Sequence, residues 1–479
     1  NIVDEANLKV SNTPTNGYVL TAQSGNTGGL TWATSPSTNA THTGEVTGSG
    51  ALTIADNIVD EANLKVSNSP TNGYFLSAQS GNTGGLTWAE ASGGIETNLT
   101  SEDNIGLGTN AVNSITSGNR NLGLGTNALT AVTSGGNNVA IGSNHTLTVL
   151  TTGGENIGVG AYSMQKLTTG SRNVAIGHSA GNYFTEAEKN TAVGYGALQG
   201  STATNAAENT AVGHLAMNAN TTGHSNVSVG SSSLQTNTTG TMNVAVGYHS
   251  LAANTTAGYN TAVGYHSLKA NTTGARNTAT GYQALLANTT GNYNTASGFE
   301  SLKANTTGAG NVAIGRDSLM TNTTASNNTA VGYASLQLNT TGYHNTAVGK
   351  SALEDNTTGY YNAAFGYHAL KLNTTAPYNT GIGYAALATN TTGTYNTALG
   401  ANSLLANTTG TYNVAIGANA LDANTTATEN TAVGYDALTS NTTGDDNTAL
   451  GHKALSLNTT ANLSTAVGQN ALRDNTTGA

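Results

Sequence analysis

The stretch from Asn328 to His344 reads Asn-Thr-Ala-Val-Gly-Tyr-Ala-Ser-Leu-Gln-Leu-Asn-Thr-Thr-Gly-Tyr-His, and the chain then starts again with Asn345-Thr-Ala-Val-Gly and Asn362-Ala-Ala-Phe-Gly. From Asn209 to Ser464 the step is seventeen residues every time. So short a fixed period predicts a solenoid, in which each repeat forms one coil stacked on the next. Counting upstream to Asn104 gives 22 coils, each marked by a Gly four residues after its start, from Gly108 to Gly468. Steps of 18 and 19 residues occur at Asn138 to Asn156 and Asn190 to Asn209. There an extra turn residue, or the segment Tyr183-Phe-Thr-Glu-Ala-Glu, is expected to bulge outward as a loop on one face.

Within a coil, Asn138-Val-Ala-Ile-Gly142 alternates with the period of a β-strand, placing Val139 and Ile141 on one face and Ala140 on the other. The Val/Ile face is expected to line the coil interior. The Ala face is small almost throughout and is expected to receive another chain. The Gly that follows permits a positive φ or a tight corner. Four residues later an apolar anchor, Leu in every coil from Leu234 to Leu472, closes the core. Asn-Thr-Thr-Gly, as at Asn237 to Gly240, then turns the chain back, Asn and Gly being suited to left-handed backbone. Stacking sets each Asn roughly 4.8 Å above the last, so side-chain amides can form ladders. In the quoted coil the structural ladder residues are Asn328, Val331, Gly332, Leu336, Asn339 and Gly342.

The N-terminal part differs. Residues 1–33 return, with three substitutions, at Asn57 to Ala89, each copy holding short β-rich runs such as Leu8-Lys-Val, Tyr18-Val-Leu and Leu30-Thr-Trp between Pro-Thr-Asn-Gly and Gly-Asn-Thr-Gly-Gly turn signals. The expected order is a β module at 1–33, a Ser/Thr/Gly-rich connector at 34–56, a second module at 57–93, a joint at 94–103 and the solenoid at 104–479. Trp32 and Trp88 occupy the same point of the two copies and read as core or interface anchors.

Only 8% of residues are charged, Phe and Pro number four each, and Gly reaches 61. Such a chain cannot build a thick core, but it suits a thin one held by backbone ladders. The strict placement of Val, Ile and Leu argues against disorder. There is no Cys, so no disulfide or thiolate metal site is possible. A net charge of -10 lacks the basic footprint of a nucleic-acid binder. No apolar run approaches the ~18 residues of a membrane span. The chain opens on Asn1 and stops at Ala479, two residues before another repeat would begin, so it is expected to be a segment of a longer protein.

Chemistry-bearing motifs are few. There is no phosphate loop and no His-Glu-x-x-His, acidic residues such as Glu354-Asp355 and Asp445-Asp446 scatter over variable coil positions, and the Asp-bearing calcium nonapeptide of other β-rolls is missing. No cofactor is implied and no enzyme activity is expected. His249 and His266 recur at one site in successive coils, but no added carboxylate supports a metal there. Sixteen successive coils, from Asn220 to Asn475, carry Asn-Thr-Thr, formally a glycosylation acceptor. Glycans one strand apart would crowd severely, so a turn-forming Asn ladder is the sounder reading. The Thr ladder also suggests an ice-binding face, but Gly, Ala and Tyr interrupt the regular array such a face needs. Tyrosine is in excess, twenty against four Phe. Tyr248, Tyr265 and Tyr282 follow the coil Gly, while Tyr378, Tyr395 and Tyr412 precede the next Asn. They are candidate surface contacts for sugars or a partner protein, packing at the coil corner being the plainer reading.

Ordering entropy weighed against a few modest apolar groups and ladder bonds leaves one coil near balance, which favours association of several chains. Asn-Val-Ala-Ile-Gly, at 138–142, 173–177, 311–315 and 413–417, resembles the head repeat of trimeric autotransporter adhesins of the YadA type. That resemblance implies a left-handed parallel β-roll with three chains around one axis, although the family's repeat is nearer fourteen residues. The Asn-Thr-Ala-Val-Gly-Tyr…Leu…Asn-Thr-Thr-Gly pattern, with Asn-Gly-Tyr-Val-Leu-Thr-Ala…Gly-Gly-Leu-Thr-Trp at 16–32, is also similar to long tail fibres of bacteriophages, marine and cyanobacterial phages in particular. The expected architecture is all-β: small β modules, then a parallel β-solenoid (β-roll) of 22 coils, homotrimeric and roughly 105 Å long at one strand spacing per coil. The implied role is a non-enzymatic, extracellular fibre shaft for host attachment, with cell-surface glycans or receptor proteins as partners. The alternative is a cell-surface adhesin or self-assembling filament.

Overall fold

The computed structural model describes residues 18–22, 30–34, 75–78, 86–89, 103–200 and 205–478, and among them all regular structure is β. The chain divides into two compact units, Asn1–Pro70 with Leu76–Trp88, and Thr71–Phe75 with Ala89–Ala479. Near the N-terminus, β1 (Tyr18–Ala22) and β2 (Leu30–Thr34) pair antiparallel with Leu20 opposite Trp32, and β3 (Phe75–Ala78) and β4 (Leu86–Ala89) form a second two-stranded sheet. These strands include the runs Tyr18-Val-Leu and Leu30-Thr-Trp. The run Leu8-Lys-Val, the two Trp side chains, the connector after Thr34 and the joint up to Glu102 lie outside the described residues.

From Ile105 onward the sequence repeat becomes one parallel ladder. It runs from β5 (Ile105–Leu107) to β26 (Thr465–Val467), 22 strands of three residues each, every strand pairing with the next in sequence. The register is strict: β18 (Thr329–Val331) meets β19 (Thr346–Val348) as Thr329 with Thr346, Ala330 with Ala347 and Val331 with Val348. At one strand spacing per step the ladder is about 100 Å long. Backbone bonds to neighbouring coils continue outside the strands. Gly332 N–H donates to Ile314 of the preceding coil at 2.7 Å, while Leu336 and Thr340 donate to Ala352 and Thr357 of the following coil at 3.0 and 2.9 Å.

The cross-section reverses the expected sidedness. Ala330, at the middle of its strand, is fully buried with Leu336 in the core, whereas Thr329 and Val331 lie half-buried on the outer face. The same holds along the shaft: the central Ala faces in, and the flanking Val, Ile or Thr faces out. The reason is thickness. Ser228 replaces the central Ala of its strand, and its hydroxyl lies 2.5 Å from that of Ser233 on the opposite wall of the coil. Where Gly381 stands at this position, a Cβ would come within 3.0 Å of the Ala386 carbonyl and 3.2 Å of Leu370 Cγ. The interior is about one side chain deep, and a Val or Ile would not fit.

Two asparagine columns complete that interior. Asn328 Oδ1 accepts from Asn345 N–H of the next coil at 2.9 Å, and Asn328 Nδ2 donates to Gly342 O at 2.8 Å. Asn339 Nδ2 donates both to Asn322 Oδ1 of the preceding coil and to Gly342 O, at 2.9 and 2.8 Å. Buried amides are stable because their bonds are made. The first column runs from Asn104 to Asn447 and ends in Ser464. The second begins at Asn220; in earlier coils its place is taken by Val132, Leu150, Leu167 and Phe184, all buried.

Two turn expectations change as well. Asn339 and Gly342 do not adopt left-handed backbone; Asn327, Ala334 and Leu336 do, at φ of 60°, 54° and 50°. Gly342 is small for a different reason: a Cβ there would collide with the Gly359 carbonyl of the next coil. Gly332 is constrained twice, by φ of 134° and by the Gly349 carbonyl 2.5 Å from where a Cβ would sit. The segment from Tyr183 to Glu188 does not bulge. Its coil keeps the seventeen-residue step, and Phe184 turns inward to fill the space left by Gly181 at the Leu position. In the 18-residue coil the extra residue falls between Gly142 and Leu147, where Asn144 and His145 both take positive φ. The 19-residue step includes residues 201–204, which lie outside the described residues.

Candidate functional site: the outer strand face and its aromatic columns

Putting Ala inside obliges each strand to present its other two side chains to the surroundings. At the first and third positions of β5 to β26 stand only Val, Ile, Leu, Thr, Ala, Ser and Phe, with no charged or amide residue on any coil. Several of these are substantially exposed, Ile314 at 42% and Leu399 at 44% among them. A ribbon about 100 Å long and ~10 Å wide amounts to ~1,000 Å² per chain. Monomers rarely leave large contiguous apolar patches open, and this ribbon is uncharged and apolar except for its Thr and Ser hydroxyls.

Tyrosines border this ribbon in sequence, one residue after the coil Gly and one before the next Asn. Tyr248, Tyr265, Tyr282 and Phe299 form one column with ring centroids 5.5, 5.3 and 5.0 Å apart and planes within 13°. Arg316 continues it, 5.5 Å from Phe299 and 5.7 Å from Tyr333, and Lys350 lies between Tyr333 and Tyr367 at 5.8 and 5.6 Å. Each cation replaces a ring in the stack and is held by the π faces on either side. The second column holds Tyr361, Tyr378, Tyr395 and Tyr412 at 5.5, 4.8 and 4.9 Å. Both sets of candidate tyrosines are therefore exposed, as their sequence positions imply, and each set forms a single column. Ring faces within a column are covered by neighbouring rings, so a sugar cannot stack on an internal rung; edges and hydroxyls face outward.

Of the candidate ladder residues, Asn328, Leu336, Asn339 and Gly342 meet inside the coil, Gly332 forms the corner, and Val331 belongs to the outer ribbon. The Asn of each Asn-Thr-Thr from Asn220 to Asn458 is buried; Asn237 Nδ2 is committed to Asn220 Oδ1 and Gly240 O at 2.9 and 3.1 Å. No accessible glycosylation nitrogen remains on these asparagines from Asn237 to Asn458 in the folded coil. The second Thr of the motif, such as Thr341, is exposed, while the first donates its hydroxyl to the next coil, as Thr340 does to Thr357 O at 3.0 Å.

Titratable groups are sparse. His249 and His266 lie 5.7 Å apart, and both have pKa values below the ordinary imidazole range because partial burial penalises the charged form and Lys269 adds repulsion. No group of three or more His, Asp or Glu among the described residues is placed to hold a metal. One motif escapes a reading by repeat alone: Gly177-His-Ser-Ala-Gly181 spells a nucleophile elbow. Ser179 Oγ lies 3.1 Å from His178 Nδ1. The string is the corner after strand β9 (Val174–Ile176), at a seventeen-residue repeat position and with no helix following, so the strained strand-turn-helix context of a hydrolase nucleophile is missing. Ion pairs with both partners exposed, such as Arg172–Glu155 at 3.5 Å, are worth little. No described helix is long and apolar enough to cross a membrane.

The fold and its surface define a repeat protein of the parallel β-solenoid class. No protein-family model, curated protein or solved structure matches this chain.

Proposed function

We propose that the chain is the shaft of an extracellular adhesive fibre, in which three copies lie side by side with their outer strand ribbons facing inward. The observation that carries this reading is the uncharged Val/Ile/Thr ribbon on all 22 strands. Its ~1,000 Å² per chain exceeds the ~800 Å² per partner of a standard stable interface. Desolvating it would strand no charge. The shaft is structural, and chemistry plays no part in its role: it holds a binding end away from a virion or a cell. Glycans or receptor proteins that touch its side would meet tyrosine edges and hydroxyls. A phage tail fibre is the preferred setting; a cell-surface adhesin would use the same shaft.

The test is light scattering of the full chain over a dilution series, with negative-stain images of the particles. A species of three times the chain mass, seen as rods about 100 Å or more in length, is the expected result. The triple variant Ile314→Lys, Val331→Lys, Val348→Lys should dissociate to monomers that keep their β circular dichroism. A native chain that is monomeric at every concentration would overturn the reading.

A further inference from the structure

The aromatic columns converge at one place. Because Pro377 interrupts the row that holds Tyr343 and Tyr360, two lines of rings meet at Tyr378. Its ring lies 4.8 Å from Tyr395, 5.5 Å from Tyr361 and 5.5 Å from Tyr360. Tyr343 is 5.0 Å beyond Tyr360, and Tyr412 is 4.9 Å beyond Tyr395. Six phenols on five successive coils are thus linked in steps no longer than 5.5 Å, and Tyr378, Tyr395 and Tyr412 are 40%, 46% and 55% exposed. The register that brings them together is backbone-fixed: Tyr378 N–H donates to Tyr360 O at 3.1 Å, and Tyr412 N–H to Thr394 O at 3.1 Å. No cation is inserted between these rings, unlike in the column at Arg316 and Lys350.

Redox composition points the same way. The chain has no Cys, and both Trp residues lie at 32 and 88, far from this region in sequence. Exposed thioethers take up oxygen in two-electron steps. A one-electron oxidant meeting the shaft therefore finds phenols, and most densely here.

We propose that the cluster Tyr343, Tyr360, Tyr361, Tyr378, Tyr395 and Tyr412 is an oxidative cross-linking site at which neighbouring coils become joined through dityrosine. Each of two phenols gives one electron and its hydroxyl proton to a one-electron oxidant, leaving two phenoxyl radicals. Their ortho carbons form a C–C bond, and the two ortho hydrogens move to the oxygens to restore the phenols. The net change is the loss of two electrons and two protons per bond, all accepted by the oxidant and solvent. Exposed rings can swing from face contact into the edge contact that bonding needs, since no neighbour covers their outer edges. Such a tie joins residues seventeen apart and opposes local unzipping of the ladder, a role disulfides fill in chains that contain Cys. The proposal rests on the register of the coils and is independent of how many chains assemble.

The experiment exposes the full chain to tris(bipyridyl)ruthenium(II), persulfate and visible light. Readouts are dityrosine fluorescence, denaturing electrophoresis and peptide mapping by mass spectrometry. Expected are dityrosine in chains that still run at single-chain mass and linked peptides pairing Tyr378 with Tyr395 or Tyr395 with Tyr412. Tyr378→Phe, Tyr395→Phe and Tyr412→Phe together keep the rings stacked but remove three phenols, and should abolish the Tyr378–Tyr395 and Tyr395–Tyr412 linked peptides and lower the total signal, with circular dichroism unchanged. Tyr333→Phe, a residue flanked by Arg316 and Lys350, should leave the signal intact. Dityrosine absent at exhaustive oxidation, found only between chains, or equally reduced by Tyr333→Phe would overturn the proposal.

Discussion

Replacing Asn328 with Ala tests whether the inner asparagine columns hold the coils together. The side chain is fully buried, accepts from Asn345 N–H at 2.9 Å and donates to Gly342 O at 2.8 Å. Alanine does neither. The Asn345 N–H would be left in the interior without an acceptor, at about 1–3 kcal/mol, while the Gly342 carbonyl keeps its bond from Asn339 and loses only the net worth of one bond, about 1 kcal/mol. The sum is roughly 2–4 kcal/mol. In a solenoid that loss is felt by the altered coil and its neighbours, so a global melting curve would understate it. Native-state hydrogen exchange resolves it. At ~1.4 kcal/mol per tenfold, protection at Asn345 should fall by about thirtyfold or more, while amides several coils away, such as Asn430, stay unchanged. Thr341→Ala, an exposed change in the same coil, should remain within ~0.5 kcal/mol of the native chain. If the two variants protect Asn345 equally, the column is ornament and the coil is held by something else.

Two further perturbations read the cross-section and its surface charge. Ala330→Leu forces a larger side chain into a space about one residue deep and should cost about 1–3 kcal/mol or more, read as a lower denaturant midpoint. For His249 and His266 the folded pKa lies below the ordinary value of 6.5. The fold thus favours their neutral form, so their contribution is fully present above pH 6.5 and is lost as pH falls through the lowered folded value. Denaturation midpoints should therefore drop on acidification through that range, and His249→Gln with His266→Gln should flatten the slope.

The repeat made the coil count, the strands and the corner glycines readable, because Asn328 to Gly332 and its copies return at constant spacing. Surface placement of the tyrosines was readable too, from the free variation among Tyr, His, Lys and Arg at Tyr248 and its counterparts. What the pattern left open was conformation and partner. Nothing in Leu336 announces a left-handed backbone, since its φ of 50° is imposed by the return path of the coil and not by its own preference. Nothing in a single coil tells that Tyr265 stacks on Tyr248 with its faces covered, because stacking belongs to the register between coils. Phe184 departs from the expected loop for a related reason. Its neighbours Glu186 and Glu188 suggest a solvated loop, whereas Gly181 empties the Leu site and the ring moves in to fill it.

The sidedness of the strand is the more instructive case, because alternation fixes two faces without saying which is inside. Hydrophobicity favours Val and Ile for the interior, and that argument fails here on size. Opposite walls of the coil approach until the side chain of the middle strand residue meets the far wall, as Ser228 meets Ser233 at 2.5 Å. Only Ala, Gly or Ser is accommodated, and those are the residues present from Gly106 to Ala466. A uniformly small residue does mark a close approach, but the approaching surface is the chain's own. Once Ala is assigned to the inside, the β-branched residues are displaced outward as a consequence of the narrow coil. A free monomer would gain from charged or amide groups there, and 22 strands carry none. The same narrowness that makes each coil too thin to enclose Val is what sets a ribbon of Val, Ile and Thr on the outer face of the shaft.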